Sequence, residues 1–335
     1  KNSERITIVG ATSGDTGSAA IEACRDREAM EIFILHPHGR TSEVQRRQMT
    51  SVRSANVFNI AIEGTFDDCQ DLVKAMFADI KFSERINMSA VNSINWARVM
   101  AQIVYYWWAS MQVVDNGPVN FCVPSGNFGN VFAGYSAHNM GLPVEKFIVA
   151  SNTNDVLDRF FRSGEMELRD VKPTFSPSMD IQISSNFERL LFEIYGRNGS
   201  LVEKVFHGLR TDRSLSVDEE KLIEIQNKWL SQKVNDRETL ETISKIADEF
   251  DYLVDPHTAV GLKTAESFMS ELGAPTISLA TAHPSKFPDA VEQASGISPS
   301  LPQHLSDLFE REESYEILPN DEQIVKDYIL EQRRY

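Results

Sequence analysis

Residues 119–130 read VNFCVPSGNFGN, and residues 131–139 continue as VFAGYSAHN. An apolar run too short for a helix passes through two glycines into a helical pattern, which is the signature of a strand–turn–helix unit. The pattern recurs nearer the start of the chain. Ile6–Val9 forms a strand-like run, ATSGDTG follows at 11–17, and Ser18–Cys24 reads as helix. Ile32–Leu35, Val57–Ile62, Phe147–Ala150 and Thr276–Ala280 are further strand-like runs with helical patterns between them. Such alternation predicts an α/β architecture built on parallel sheets.

Helix signals support this reading. A polar, basic helix is expected over Ser42–Thr50. Thr65 has Asp68 three residues later, a capping-box pattern ahead of an apolar face of Leu72, Val73, Met76 and Phe77. Ser216 with Glu219, and Asn235 with Glu238, read as two more helix starts. The charged stretch at about 196–250 holds no chemical motif and is expected as a peripheral helical section. The tail after Leu301 is acidic and reads as helical. Two lobes are expected, a smaller one at 1–88 and a larger one at 89–335, and 335 residues are enough for both cores.

Composition narrows the function classes. With 49 acidic against 33 basic residues the net charge is −16, which disfavours nucleic acid and anionic membranes as partners. Any anionic ligand must therefore be held by local donors. No apolar stretch approaches the roughly 18 residues of a membrane helix. No signal peptide is visible at 1–9, although opening on a core strand is unusual. Cys24, Cys69 and Cys122 lie far apart among apolar residues, and read as buried thiols in a reducing, cytoplasmic setting. His36 and His38 have no partner cluster, and no metal is expected. His257 and His283, each beside a proline, read as structural or as supports of a site, not as general bases.

Three places combine small residues, hydroxyls and amides at a helix start. The Ala11–Gly17 loop could bind an anion on exposed amides or could be a tight turn with an N-cap. It lacks the Gly-Lys-Ser/Thr of a Walker loop and the dinucleotide glycine spacing. In the 124–130 loop, Gly126 and Gly129 let the backbone wrap an oxyanion, and Asn127 and Asn130 add side-chain donors. Two such turns favour a ligand with two anionic ends. In NSINWAR (92–98), Asn92 or Ser93 would cap a helix holding Val99–Trp108, with Arg98 a turn and a half later. Spacing alone favours a cap plus a surface arginine there.

The strings TSGDTGSAAIEA (12–23), VNSINWAR (91–98), VPSGNFGN (123–130), SPSMDIQISSNFERLLF (176–192) and TAHPSKF (281–287), in this order, resemble threonine synthases of the fungal and bacterial type. The resemblance spans about 1–295. It implies a fold-type II pyridoxal-phosphate (PLP) enzyme with two α/β lobes. It assigns the cofactor phosphate to Gly126, Asn127, Phe128, Gly129 and Asn130, and the pyridine nitrogen to the Thr281 hydroxyl. Thr12, Ser13, Asp15 and Thr16 would grip the substrate carboxylate, and Asn92, Ser93 and Arg98 the substrate phosphate. The implied reaction takes O-phospho-L-homoserine and water to L-threonine and phosphate, by a monomer or homodimer.

One departure stands out. In the family the Schiff-base lysine precedes the TSGDTG loop, and here only Lys1 does, in a polar stretch that matches poorly. Lys286 lies near the cofactor by resemblance but has another role. The expectation is a C-terminal part of a longer enzyme, or a non-catalytic relative, inactive by itself. Two alternatives remain: a phospholyase that releases a keto acid, and a lysine-free protein that binds a phosphorylated ligand or a partner protein.

Overall fold

The computed structural model describes residues 5–91, 94–115 and 117–334. In chain order the elements are β1 (Ile6–Ala11), α1 (Asp15–Cys24), β2 (Met30–Pro37), α2 (Glu43–Thr50), β3 (Val57–Glu63), α3 (Phe66–Ala78), α4 (Ile80–Arg85) and β4 (Met88–Ala90). Next come α5 (Trp96–Val113), β5 (Val119–Pro124), α6 (Gly129–Asn139), β6 (Val144–Ser151), α7 (Val156–Ser163), β7 (Glu165–Glu167), α8 (Phe187–Ile194) and α9 (Gly199–Thr211). The chain continues through β8 (Ser214–Ser216), α10 (Glu219–Gln226), β9 (Trp229–Lys233), α11 (Asp236–Phe250), α12 (Pro256–Phe268), β10 (Thr276–Ser278) and α13 (Pro288–Ser295). It closes with β11 (Glu316–Pro319) and α14 (Glu322–Gln332).

Two compact units result, one from residues 1–92 with 300–335 and one from 93–299. The first is a five-stranded sheet in the order β11-β3-β2-β1-β4, parallel at every described pairing. The two-residue period of β2 divides its core. Phe33 and Leu35 pack with Leu72 and Met76 of α3 and Val325 and Ile329 of α14. Ile32 and Ile34 face the other way, onto Ile21 and Cys24 of α1 and Met49 of α2. Helices thus cover both faces, as a parallel sheet requires.

The second unit holds a parallel sheet in the order β10-β5-β6-β9 and a small antiparallel pair, β7-β8. Phe121, Val123, Phe147 and Val149 join the large core formed with α5, α6, α7 and α8. Cys122, Ile148 and Ala150 pack on the opposite side with Val260 and Ala265 of α12. The three cysteines are buried thiols. No described helix is long and apolar enough to cross a membrane.

Several expectations need correction. The 196–250 stretch is not only a peripheral helical section: its Trp229–Lys233 segment is the sheet's edge strand, with Trp229 buried. Ser216 does not start a helix, because it is committed to the ladder with Glu165, and Asp218 caps α10 by accepting from the Lys221 amide. The tail after Leu301 is not all helix and does not join the 89–335 lobe. Its β11 pairs with β3, which brings 300–335 into the first unit. The cap of α5 is Asn95, whose side chain accepts from the Ala97 amide, so Arg98 lies in the first turn. The capping boxes at Thr65 and Asn235 form as expected.

Candidate functional site

The 124–130 loop is built from the backbone outward. β5 ends at Pro124, and Phe128 takes a left-handed conformation, φ 61° and ψ 0°, immediately before α6. For a bulky residue this is strained by roughly 1–2 kcal/mol. The side chain offsets the strain by burial. Phe128 is 1% exposed, with ring centroids 5.3 Å from Phe187, 5.8 Å from Trp229 and 6.1 Å from Phe161. A left-handed residue leading into a helix N-terminus turns successive amides toward one place, the backbone form of an anion-binding concavity. The first-turn amides of Gly129, Asn130 and Val131 have no acceptor inside α6.

Surrounding groups fix this turn. The Phe128 amide donates to Ser125 Oγ at 3.2 Å. Ser184 Oγ donates to the Gly126 carbonyl at 2.7 Å, and the Asn186 amide and Nδ2 both donate to the Asn127 carbonyl at 3.1 Å. Ser185 Oγ reaches Asn127 Oδ1 at 3.2 Å, and the Tyr106 hydroxyl reaches the Asn130 carbonyl and Oδ1 at 2.7 and 3.0 Å. With both Oδ1 atoms occupied, the side-chain amide hydrogens of Asn127 and Asn130 remain as donors. Gly126 is required by close approach: a Cβ there would lie 2.8 Å from the Ser178 carbonyl oxygen and 3.1 Å from Met179 Cα.

Thr281 follows β10 within the same unit. It is exposed, and its amide donates to Thr258 Oγ1 at 3.3 Å. Arg98 is half-buried, and burial lowers its guanidinium from the ordinary arginine value. Asn92 and Ser93 lie outside the described residues, as does Lys1. Lys286 sits half-buried in a short turn capped by His283.

The Ala11–Gly17 loop belongs to the first unit, between β1 and α1. Thr12 is buried, and its Oγ1 accepts from the Gly14 and Gly17 amides, both at 2.9 Å. That hydroxyl therefore builds the turn and keeps only its proton for a ligand. Ser13 is exposed, while Asp15 and Thr16 are half-buried in the first turn of α1. The tight-turn reading of this loop explains the placement of Thr12.

Sequence reasoning left Ser184, Ser185, Asn186 and Tyr106 without a role, although the first three lie inside a quoted motif. It also overlooked Asp255, despite the Asp-Pro pair that marks a helix cap followed by its first residue. Among the described residues no group of three or more His, Cys, Asp or Glu side chains could hold a metal.

Comparison with known proteins identifies the family. The pyridoxal-phosphate dependent enzyme family matches residues 1–207, and the threonine synthase C-terminal family matches 258–329. Threonine synthase of Pseudomonas aeruginosa is 53% identical over 323 residues, covering 96% of this chain and 69% of that protein. The structure of PLP-bound threonine synthase from Brucella melitensis superposes with a TM-score of 0.93 at 50% identity, covering 99% of this chain and 72% of that one. The yeast threonine synthase structure gives 0.91 at 43% identity, covering 98% and 70%. A parallel-sheet unit with a strand–glycine–helix turn, and relatives that agree over nearly its whole length, place this chain in the threonine synthase family of fold-type II PLP enzymes.

Proposed function

We propose that the chain takes O-phospho-L-homoserine as substrate and serves its conversion with water to L-threonine and phosphate. The observation that carries the cofactor half is the Phe128 turn. It supplies amides without a lysine, and its glycine approach leaves no room for a Cβ at 126. An anion held this way suits a protein of net charge −16, because the donors are local and their field is short. PLP, when bound, supplies the electron sink for proton removal from the substrate carbons.

The chain's own residues have separate tasks in this reading. The 126–130 amides with Asn127 and Asn130 bind the cofactor phosphate. The Thr281 hydroxyl meets the pyridine nitrogen and, unlike a carboxylate, does not force it to stay protonated. Ser13, Thr16 and the remaining proton of Thr12 orient the substrate carboxylate, with Asp15 in the same turn. Arg98, with Asn92 and Ser93, holds the substrate phosphate, whose charge grows as it leaves. A half-buried guanidinium is the stronger for its lower local dielectric.

By itself the 335-residue chain is proposed to be silent in turnover, since neither Lys1 nor Lys286 matches the family's Schiff-base lysine. Binding therefore tests the assignments directly. The chain should retain PLP in equilibrium dialysis, and Asn127→Ala should weaken retention by roughly 1–3 kcal/mol. Calorimetry with O-phospho-L-homoserine should show Arg98→Ala losing substrate while keeping PLP. If Arg98→Ala expels PLP and spares the substrate, the two phosphate assignments are exchanged. Full-rate phosphate release by this chain would overturn the lysine argument.

A further inference from the structure

Asp255 is fully buried at the N-cap of α12, and its carboxylate is bound by four donors. Oδ1 accepts from the His257 amide and from His257 Nδ1, both at 2.8 Å. Oδ2 accepts from the Thr258 amide at 3.4 Å and, in a short contact, from the Thr258 hydroxyl. These donors and the positive end of α12 stabilise the charge in place of a lysine or arginine.

The two side chains carry the connection outward along different lines. His257 Nε2 accepts from the Ser178 amide at 3.2 Å, so the ring proton sits on Nδ1, facing Asp255. Ser178 is the residue whose carbonyl presses on Gly126. Thr258 gives its hydroxyl proton to Asp255, which leaves Oγ1 to accept from the Thr281 amide at 3.3 Å. One carboxylate thus fixes the tautomer of a histidine that sets the loop against the phosphate turn. It also fixes the rotor of a threonine that sets the residue meeting the pyridine ring.

We propose that Asp255 is a positioning residue that holds both ends of the cofactor in register, the phosphate end through His257 and Ser178, the ring end through Thr258 and Thr281. This rests on the PLP reading above. Among the described residues the Asp255 carboxylate bonds to His257 and Thr258. It acts by denying the two loops independent adjustment, because a shift in either costs a hydrogen bond to a side chain, His257 or Thr258, that the Asp255 carboxylate holds in place.

The test uses the 335-residue chain loaded with PLP carrying ¹⁵N in the ring. The ¹⁵N resonance reads the Thr281 end and the ³¹P resonance reads the phosphate turn. Thr258→Val, close in shape but without the hydroxyl, should move the ¹⁵N line, leave the ³¹P line in place and weaken PLP about fivefold to tenfold. Thr258→Ser should restore both wild-type values. His257→Leu should move the ³¹P line and leave ¹⁵N. Asp255→Asn should move both lines, and if it does not fold, the Thr258 and His257 variants decide the matter between them. Lines that move together in every variant, or not at all, would show a general packing role and overturn the proposal. Failure of the wild-type chain to hold PLP would instead overturn the cofactor reading itself.

Discussion

Replacing Gly126 by alanine tests whether the 124–130 turn is shaped for an anion or is merely a tight connection. The added Cβ would lie 2.8 Å from the Ser178 carbonyl oxygen, 3.1 Å from Met179 Cα and 3.3 Å from Ile181 Cγ1. Two of these three are backbone atoms, so the two chain segments must part by about half an ångström to restore van der Waals contact. The Ser184 bond to the Gly126 carbonyl and the paired Asn186 bonds to Asn127 resist that movement. Overpacking of this kind costs about 1–3 kcal/mol. The strain falls on the amides proposed to hold the cofactor phosphate, so PLP affinity should drop at least tenfold. Gly129→Ala is the milder comparison: its Cβ would lie 3.3 Å from Asn186 Nδ2, which is held by its bond to Asn127, and the few tenths of an ångström required are offset by alanine's better helix propensity. Its stability should stay within about 0.5 kcal/mol of wild type. Urea unfolding with equilibrium dialysis of PLP measures both quantities. Gly126→Ala with wild-type stability and wild-type PLP retention would refute the reasoning.

Further outcomes follow from other sites. His36 is 1% exposed, and burial holds its imidazole down at about 4 against the ordinary 6.5. The unfolded chain takes up a proton between those values that the folded chain refuses. Stability present above pH 6.5 is therefore lost as pH falls toward 4, about 2 kcal/mol of it by pH 5. His36→Phe should remove that part of the slope in urea titrations at pH 8 and pH 5, and an unchanged slope would discard the account. Thr12→Val leaves the Gly14 and Gly17 amides without their acceptor and should cost about 1–3 kcal/mol, with Thr12→Ser recovering most of it. Trp229→Ala removes the ring stacked on Phe147 at 4.8 Å and on Phe161 at 5.4 Å, and should cost about 3–5 kcal/mol in the same assay.

The parts of the molecule legible in the sequence are those whose cause is local. Thr65 and Asp68 satisfy each other within three residues, so the start of α3 could be read directly. The strand–turn–helix unit at 119–139 was visible because β5, two glycines and the first turn of α6 are contiguous. What escaped depends on partners distant in the chain. Trp229–Lys233 has only five residues and a polar end, and it becomes a strand because β6, some 80 residues earlier, offers an edge. Glu316–Pro319 contains a proline, a poor strand former, and is tolerated where the strand lies at the sheet's edge beside β3. Three good capping residues crowd 92–95, and only the fold selects Asn95 among them. Asp255 was legible as a cap but not as a junction, since Ser178 and Thr281 come from separate loops.

The pairing of β11 with β3 has a consequence for biosynthesis. The edge of β3 that β11 covers is synthesised roughly 250 residues before its partner, a wait of about 12–50 s at ordinary ribosomal rates. Throughout that interval a seven-residue strand rich in apolar side chains offers an open row of amides and carbonyls. The second unit, whose sequence is continuous, can meanwhile complete its own core on the ribosome. A nascent chain stalled near residue 300 would carry a completed second unit and, in the first, an unprotected sheet edge, a natural target for a holdase chaperone.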